Sequence, residues 1–415
     1  AILSGLVGSE MCIRDSSNIA SQIIGFTNDD DSGLVGIERY YEKYLSGTDG
    51  WVVKQKNVAG RKGSFYKSSF PIKEPIEGSN IQLTIDIEYQ SILQEELQRR
   101  IDESGAKGAM GILMDPQNGD ILAMASLPDF DLNNPNITPL ENQKNKVITD
   151  QFEPGSTFKI VAATAALNTG KVSLNDEFNC EVGKFEFDGW TISDHEKFGV
   201  LTFPQIIANS SNVGVIKIAQ IIGKEPLYRL SRNYGFGTPT GISFPGESQG
   251  ILRQKKDWSK MSLASVSIGY EVGVTALQIA SAYSAIANGG VLLKPQIVRQ
   301  IISNKGELLY KSKPEPIRKV VKAETMLIMK EILSKVINEG TGSKADVEGW
   351  SVAGKTGTAR KYMKGGYSKK YISNFNFFST SSIFLISFIF LASSISFSLF
   401  LLDFIELTFS TTSVL

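Results

Sequence analysis

Apolar positions along the 415-residue chain change period several times, and each change predicts an element. Ile81 to Ile87 alternates apolar and polar residues as a half-buried strand does, and Asp86 then caps a helical pattern that runs through Arg100. Two apolar runs follow, Ala109 to Met114 and Ile121 to Ala125, joined by Asp115-Pro116-Gln117-Asn118-Gly119-Asp120. An Asn-Gly turn between such runs predicts a hairpin. Val147 to Glu339 is mostly helical by pattern, and Trp350 to Ala359 alternates again like a strand. The order hairpin, helices, strand predicts an α+β layer fold rather than a doubly wound parallel sheet. Nearer the start, Ile37 to Leu45 is amphipathic and carries Tyr40, Tyr41 and Tyr44, a stripe that predicts core packing rather than a site.

Both ends depart from this pattern. Ala1 to Ser16 has no basic leader region and too short an apolar run for a signal peptide or membrane anchor, so it reads as a leader foreign to the fold. Ile383 to Leu402 is nearly all Ile, Leu, Phe, Ala and Ser without a charge, long enough to span a bilayer. Two readings of it stay open: a C-terminal anchor, or low-complexity sequence introduced by a frame slip.

Composition narrows the chemistry. With 42% hydrophobic and 21% charged residues the chain is an ordinary globular protein, large enough for more than one packing unit. Lys+Arg and Asp+Glu both number 43, and no run of like charge marks a nucleic-acid surface. Cys12 and Cys180 cannot build a disulfide framework, and the single histidine, His195, cannot supply a histidine-rich zinc site, so neither a metal nor a cofactor is expected.

The chemistry-bearing residues lie in three short motifs. Pro154-Gly155 breaks the chain before Ser156-Thr157-Phe158-Lys159, and Ile160 to Leu167 continues as an apolar, Ala-rich run until Asn168-Thr169-Gly170, which predicts a buried helix starting near Ser156. Residues three apart share a helix face, so Lys159 lies over Ser156 within reach of its hydroxyl. A serine nucleophile needs a base, and a lysine kept neutral by burial can serve where histidine is lacking. Ser210 and Asn212 form an SxN turn, placed to relay a proton and to hold a substrate amide. Lys355-Thr356-Gly357-Thr358 falls in the alternating run, where its backbone can pair with an extended peptide. Lys355 supplies positive charge there, and the Thr356 and Thr358 hydroxyls suit a terminal carboxylate.

SxxK, SxN and KTG in this order are the signature of penicillin-binding proteins and the related lactamases. The chain resembles a class B penicillin-binding protein, a peptidoglycan D,D-transpeptidase of the cell-division or elongation type, over roughly residues 24–378. The resemblance also rests on Asp115-Pro116 with Gly119-Asp120-Ile121-Leu122-Ala123-Met124, Glu153-Pro154-Gly155-Ser156, Gly273-Val274-Thr275 with Ile286-Ala287-Asn288-Gly289-Gly290, and Gly340-Thr341-Gly342. It implies an antiparallel sheet packed between helices, preceded by a pedestal of which residues 17–78 are the remaining part. The expected organisation is leader 1–16, partial pedestal 17–78, transpeptidase domain 79–378 and apolar tail 379–415. The resemblance further implies that Ser156, Lys159, Ser210 and Lys355 are catalytic, that Asn212, Thr356, Gly357 and Thr358 bind substrate, and that the backbone amides of Ser156 and Thr358 form an oxyanion hole. The implied partners are stem peptides ending in D-Ala-D-Ala, β-lactams, a membrane glycosyltransferase and division or elongation proteins. The implied location is the outer face of the bacterial cytoplasmic membrane, with the family's N-terminal anchor missing from this chain. Family members also carry two strands after the KTG strand. Tyr371 to Phe378 resembles the first, and the apolar tail stands where the second is expected, which leaves the sheet one strand short.

Rival readings are weaker. Gly349 to Thr356 matches the phosphate-loop pattern GxxxxGK[ST], but alternation runs through it and no apolar helical face follows. Gly235-Phe236-Gly237 with Gly241 misses the dinucleotide spacing. His195 sits in a polar segment and is expected to be structural rather than part of a triad. A D,D-carboxypeptidase, a serine β-lactamase and a silent penicillin-binding division scaffold share the acylation motifs. The intact Ser156, Lys159, Ser210 and Lys355 argue against the scaffold, and no carboxylate motif for deacylation favours the lactamase.

Overall fold

The computed structural model describes residues 18–53, 55–56, 64–65, 71–346, 348–363, 366–379 and 385–392. The leader and the end of the tail lie outside them. The elements that position the site are α1 (Ile87–Ser104), β1 (Gly108–Met114), β2 (Ile121–Leu127), α2 (Lys159–Thr169), β3 (Lys184–Phe187), β4 (Trp190–Ser193), α3 (Asn212–Ile222), α4 (Ala276–Ala287), α5 (Ala323–Asn338), β5 (Val352–Met363), β6 (Gly366–Ser379) and β7 (Leu385–Ala392). Five strands form one antiparallel sheet in the order β5-β6-β7-β1-β2.

Helices cover both faces of that sheet. Asp86 starts α1 by accepting hydrogen bonds from the amides of Glu88 and Tyr89 at 3.0 and 3.2 Å, which ends the preceding strand at Leu83 rather than at Ile87. On the α1 side, Leu93 and Leu97 pack with Ala109 and Leu113 of β1 and with Phe375 and Phe377 of β6. The intervening residues Met110, Ile112 and Met114 point to the opposite face, as the period of two requires, and join a core with Ile372 and Phe378. That core contains α4, every residue of which is buried, and the apolar body of α2. Burying a leucine such as Leu93 contributes roughly 1.5–3 kcal/mol, so the apolar side chains on both faces of the sheet help to hold it between the helices.

The sheet corrects two expectations. The strand expected to be missing is present: Leu385–Ala392 pairs with β6 (Phe375 opposite Phe388) and with β1 (Ile389 opposite Met110). Leu385 and Ile389 are fully buried. A continuous apolar run reads as a bilayer span or an anomaly when only its hydropathy is counted, yet a central strand covered on both faces has the same composition. The region from Val147 to Glu339, expected to be mostly helical, also contains the hairpin β3–β4 and a strand, Val298–Ile302, paired with Asn80–Leu83 and Leu308–Lys311. These strands are five residues or fewer, too short to imprint a period on the pattern.

The N-terminal stretch is built from short helices, Gly36–Tyr40 and Glu42–Leu45 among them. Ile23, Ile37 and Tyr41 enter the larger core, whereas Tyr40 is exposed, so only part of the tyrosine stripe packs inward. Among the described residues, no helix is long and apolar enough to cross a membrane.

Candidate active site

The segment leading to Ser156 is pinned from several sides. Phe152 and Val274 exchange backbone hydrogen bonds at 2.9 Å, and the Gly155 amide donates to Gly269 O at 3.1 Å. Pro154 O accepts from Thr157 Oγ1 and from Asn374 Nδ2, both at 3.0 Å. Tyr283 of α4 donates to Thr157 O at 2.9 Å. Gly155, at φ +58°, turns the chain into a 3-10 turn, Gly155–Phe158, and the α-helix proper begins at Lys159 rather than near Ser156. Ser156 is thus half-buried on a tight turn, directly before a buried helix.

Strand β5 lies against this turn because Gly357 lacks a side chain. A Cβ there would stand 2.9 Å from Pro154 O, Thr157 Cγ2 and Asn374 Oδ1. Lys355, Gly357 and Ala359 are buried, while Thr356 and Thr358 are partly exposed, the alternation expected of a strand with one wet face. β5 is also an edge strand of the sheet. Its backbone can therefore take an extended peptide as an added strand.

Lys159 is fully buried, and its amine reaches across to α3 rather than back to Ser156. Nζ donates to Ser210 O at 2.6 Å and to Asn212 Oδ1 at 2.8 Å, and lies 3.2 Å from Ser210 Oγ. Burial pushes its pKa down to about 7, while the nearby Asp194 carboxylate pulls the other way. A neutral amine fits this cage: two N–H groups serve the two carbonyl oxygens, and the lone pair is left for a hydroxyl proton. Ser210 sits at φ +57°, a left-handed conformation that turns its carbonyl and hydroxyl toward the lysine.

Lys355 is also fully buried, and burial holds its pKa well below the ordinary lysine range, with the Lys159 charge adding to the effect. Nζ donates to Thr356 O at 3.2 Å and to Thr341 Oγ1 at 3.4 Å, and Thr341 Oγ1 is 2.9 Å from Thr356 Oγ1. The structure thus gathers Ser156, Lys159, Ser210, Asn212 and the Lys355–Thr358 strand around one groove.

Two further residues shape the groove. Asp194, at the end of β4, accepts from the amides of Asn212 and Val213 at 2.5 and 3.1 Å and from Ser211 Oγ at 2.7 Å, so it caps α3 from a distant loop. Asn212 Nδ2 also donates to Ser193 O at 2.9 Å. Asp194 is 17 residues from Ser211, and no spacing rule links a hairpin end to a helix start. Thr341 is the second; its Gly-Thr-Gly context was visible in the sequence, but its contact with Lys355 was not. His195 next to Asp194 is exposed and stands edge-on to Phe198. Cys180 is buried below the site, 3.4 Å from Ser211 Oγ. Gly349–Thr356 runs into a strand and opens no helix, which excludes the phosphate-loop geometry. Among the described residues, no cluster of three or more His, Cys, Asp or Glu could hold a metal.

Comparison with known proteins adds the following. Residues 109–382 match the family model described as the penicillin binding protein transpeptidase domain, and residues 3–83 match that of the penicillin-binding protein dimerisation domain. The chain is 35% identical over 375 residues to stage V sporulation protein D of Bacillus subtilis, covering 88% of this chain and 57% of the relative. It is 33% identical over 359 residues to the peptidoglycan D,D-transpeptidase FtsI of Escherichia coli, covering 86% and 58%. It therefore spans somewhat over half the length of these relatives. The crystal structure of penicillin binding protein 3 from Mycobacterium tuberculosis complexed with ampicillin superposes with a TM-score of 0.83 at 28% identity, covering 96% of this chain and 88% of that one.

Proposed function

Since this chain belongs to the class B penicillin-binding proteins, we propose that it is a peptidoglycan D,D-transpeptidase that cross-links stem peptides through an acyl-enzyme on Ser156. The observation that carries the reading is the Lys159 amine: buried, with its pKa lowered to about 7, caged by Ser210 and Asn212, and three residues from the serine. Ser156 transfers its hydroxyl proton to neutral Lys159 and attacks the carbonyl between the two terminal D-alanines. The backbone amides of Ser156 and Thr358 hold the oxyanion. The C–N bond then breaks, Ser210 passes the proton to the departing D-Ala, and an ester remains on Ser156. The amino group of a neighbouring stem attacks that ester, forms the new amide and releases the serine. Lys355, with the Thr356 and Thr358 hydroxyls, binds the terminal carboxylate, and Asn212 holds the peptide amide. Gly357 keeps β5 close enough for these contacts.

The domain division proposed above places this chemistry after residue 79. We place the catalytic groove on the outer face of the cytoplasmic membrane, working beside a glycosyltransferase that supplies glycan strands. β-Lactams mimic the D-Ala-D-Ala end and acylate the same serine.

The test is the full chain incubated with benzylpenicillin and read by intact mass, followed by a D-Ala-D-Ala donor with an amine acceptor. A persistent adduct together with a cross-linked product is the expected result. An adduct with hydrolysed donor alone would identify a carboxypeptidase, and an adduct lost within seconds a lactamase.

Asp194 provides a second prediction. In Asp194→Ala, the Asn212 and Val213 amides and the Ser211 hydroxyl lose their shared acceptor while Ser211 Oγ still accepts from the Gly214 amide, at a cost of about 1–2 kcal/mol. Tm falls by a few degrees, and acylation by benzylpenicillin slows about tenfold or more, as expected when a positioning group is removed. Unchanged acylation with a lowered Tm would make Asp194 a purely structural cap.

A further inference from the structure

A cleft of about 640 Å³ opens beside the groove, between the segment leading to Ser156 and the far end of β5, with Glu153, Arg253, Glu271, Arg360 and Lys361 among its lining. Its acids differ in how they are partnered. The Glu271 carboxylate is occupied by Arg253 and by Ser262 Oγ. Glu153 Oε1 accepts from the Glu271 amide at 2.9 Å and from Tyr367 Oη at 3.3 Å, but Glu153 Oε2 is buried with no hydrogen-bond partner. An unpaired buried acceptor costs about 1–3 kcal/mol, so it is retained at some expense beside the nucleophile.

The proposed reaction identifies what could satisfy it. Cross-linking joins two molecules of the same kind of peptide, and the amine that attacks as acceptor on one stem is therefore carried by the donor stem as well. Glu153 lies three residues before Ser156, within about 10 Å along the chain, and Arg360 lies two residues past Thr358 on β5, about 7 Å. A donor extended along the edge of β5 with its scissile carbonyl at Ser156 brings the residue before its D-alanine pair to the mouth of this cleft.

We propose, on the strength of that reaction, that the cleft is the subsite for the donor residue preceding D-Ala-D-Ala, and that Glu153 binds an ammonium at the end of its side chain. The last torsion of a glutamate is broad, so a small rotation presents Oε2 to the cleft. Arg360 and Lys361, exposed at the rim, suit a carboxylate next to that amine. Without ligand, burial raises the Glu153 pKa to about 7, partly offset by the Tyr367 hydrogen bond. An arriving ammonium favours the ionised form.

The test uses two peptide donors ending in D-Ala-D-Ala, identical except that the preceding side chain ends in a free amine in one and an acetylated amine in the other. The readout is the ratio of their kcat/KM values for D-Ala release by the full chain at pH 8. The wild type should favour the free amine by about tenfold or more, the worth of a hydrogen bond to a charged group. Glu153→Gln should bring the ratio near one, and Glu153→Asp should keep part of the preference. In the wild type alone, the ratio should fall as pH drops through about 7, because the protonated carboxyl cannot pair, while the donor amine stays charged throughout. The Lys159 titration affects both donors and cancels in the ratio. The other groups around Glu153 are Tyr270, Tyr367, Glu271, Arg253, Arg360 and Lys361. A wild-type ratio near one, or a preference that survives in Glu153→Gln, overturns the subsite alone. A wild type that releases D-Ala from neither donor overturns the reaction and the subsite with it.

Discussion

Replacing Ser156 with alanine should abolish the covalent benzylpenicillin adduct while leaving the fold intact. The two halves of this expectation come from different observations. The hydroxyl is half-exposed on the 3-10 turn, and none of the bonds that pin the turn uses it; Thr157, Gly155 and Pro154 O carry those contacts. Loss of one such oxygen shifts stability by less than about 0.5 kcal/mol, so Tm should stay within about a degree or two. Chemistry, by contrast, loses its nucleophile, and knocking out such a residue costs on the order of 10⁴- to 10⁶-fold. Intact mass should show the adduct on the wild type and none on Ser156→Ala, with D-Ala release falling in parallel. A labelled Ser156→Ala protein would transfer the nucleophile's role elsewhere, first to Ser210, whose hydroxyl lies 3.2 Å from Lys159 Nζ.

Which parts of the molecule could be read in advance follows from how local each signal is. The hairpin β1–β2 and the capped helix α1 announce themselves within a few residues, by an Asn-Gly turn and an Asp at the first turn. The three motifs are equally local, since SxxK, SxN and KTG each need only three or four residues to be recognised. Their convergence on one groove came from family resemblance, because nothing in the spacing of Ser156, Ser210 and Lys355 specifies that they meet. Strand β7 was missed for a physical reason: its eight residues, all apolar except Ser387, satisfy a membrane and a doubly covered sheet equally well. Only its pairing with β1, more than 270 residues earlier, distinguishes them, and no local pattern carries that information. Asp194 and Thr341 were missed likewise, as both act through hydrogen bonds made from loops, which no periodicity or spacing rule announces. Lys159 is a subtler case. Helical spacing placed it beside Ser156, yet burial leaves an amine in need of acceptors, and the Ser210 and Asn212 oxygens supply them.

That cage makes Lys159→Met the second decisive substitution. Methionine keeps the length of the side chain and its apolar body but cannot take a proton. If Lys159 is the base, acylation by benzylpenicillin should fall by about 10²- to 10⁴-fold, the usual worth of a positioned general base. The pH profile separates this from mere repacking. In the wild type the rate should climb with pH and level off above about 7, as the amine loses its proton. In Lys159→Met the residual rate should be flat over the same interval. Stability offers an independent check with its own sign. Burial lowers the folded-state pKa to about 7 from the ordinary 10.5, so between those values the unfolded chain binds the extra proton and the folded one does not. Wild-type stability therefore rises with pH across that window, and the variant lacks this term. The Tm difference should accordingly move in favour of Lys159→Met as pH is lowered from 10 to 7, superimposed on a fixed cost for the unpaired Ser210 and Asn212 oxygens. Should the climb in acylation rate persist without Lys159, the base must be sought in Lys355, the other fully buried amine of the groove, whose pKa burial also depresses. The same measurement on Lys355→Met would then decide between them: a base leaves a flat profile when removed, whereas a residue that only binds the terminal carboxylate leaves the climb near pH 7 in place and lowers the rate throughout.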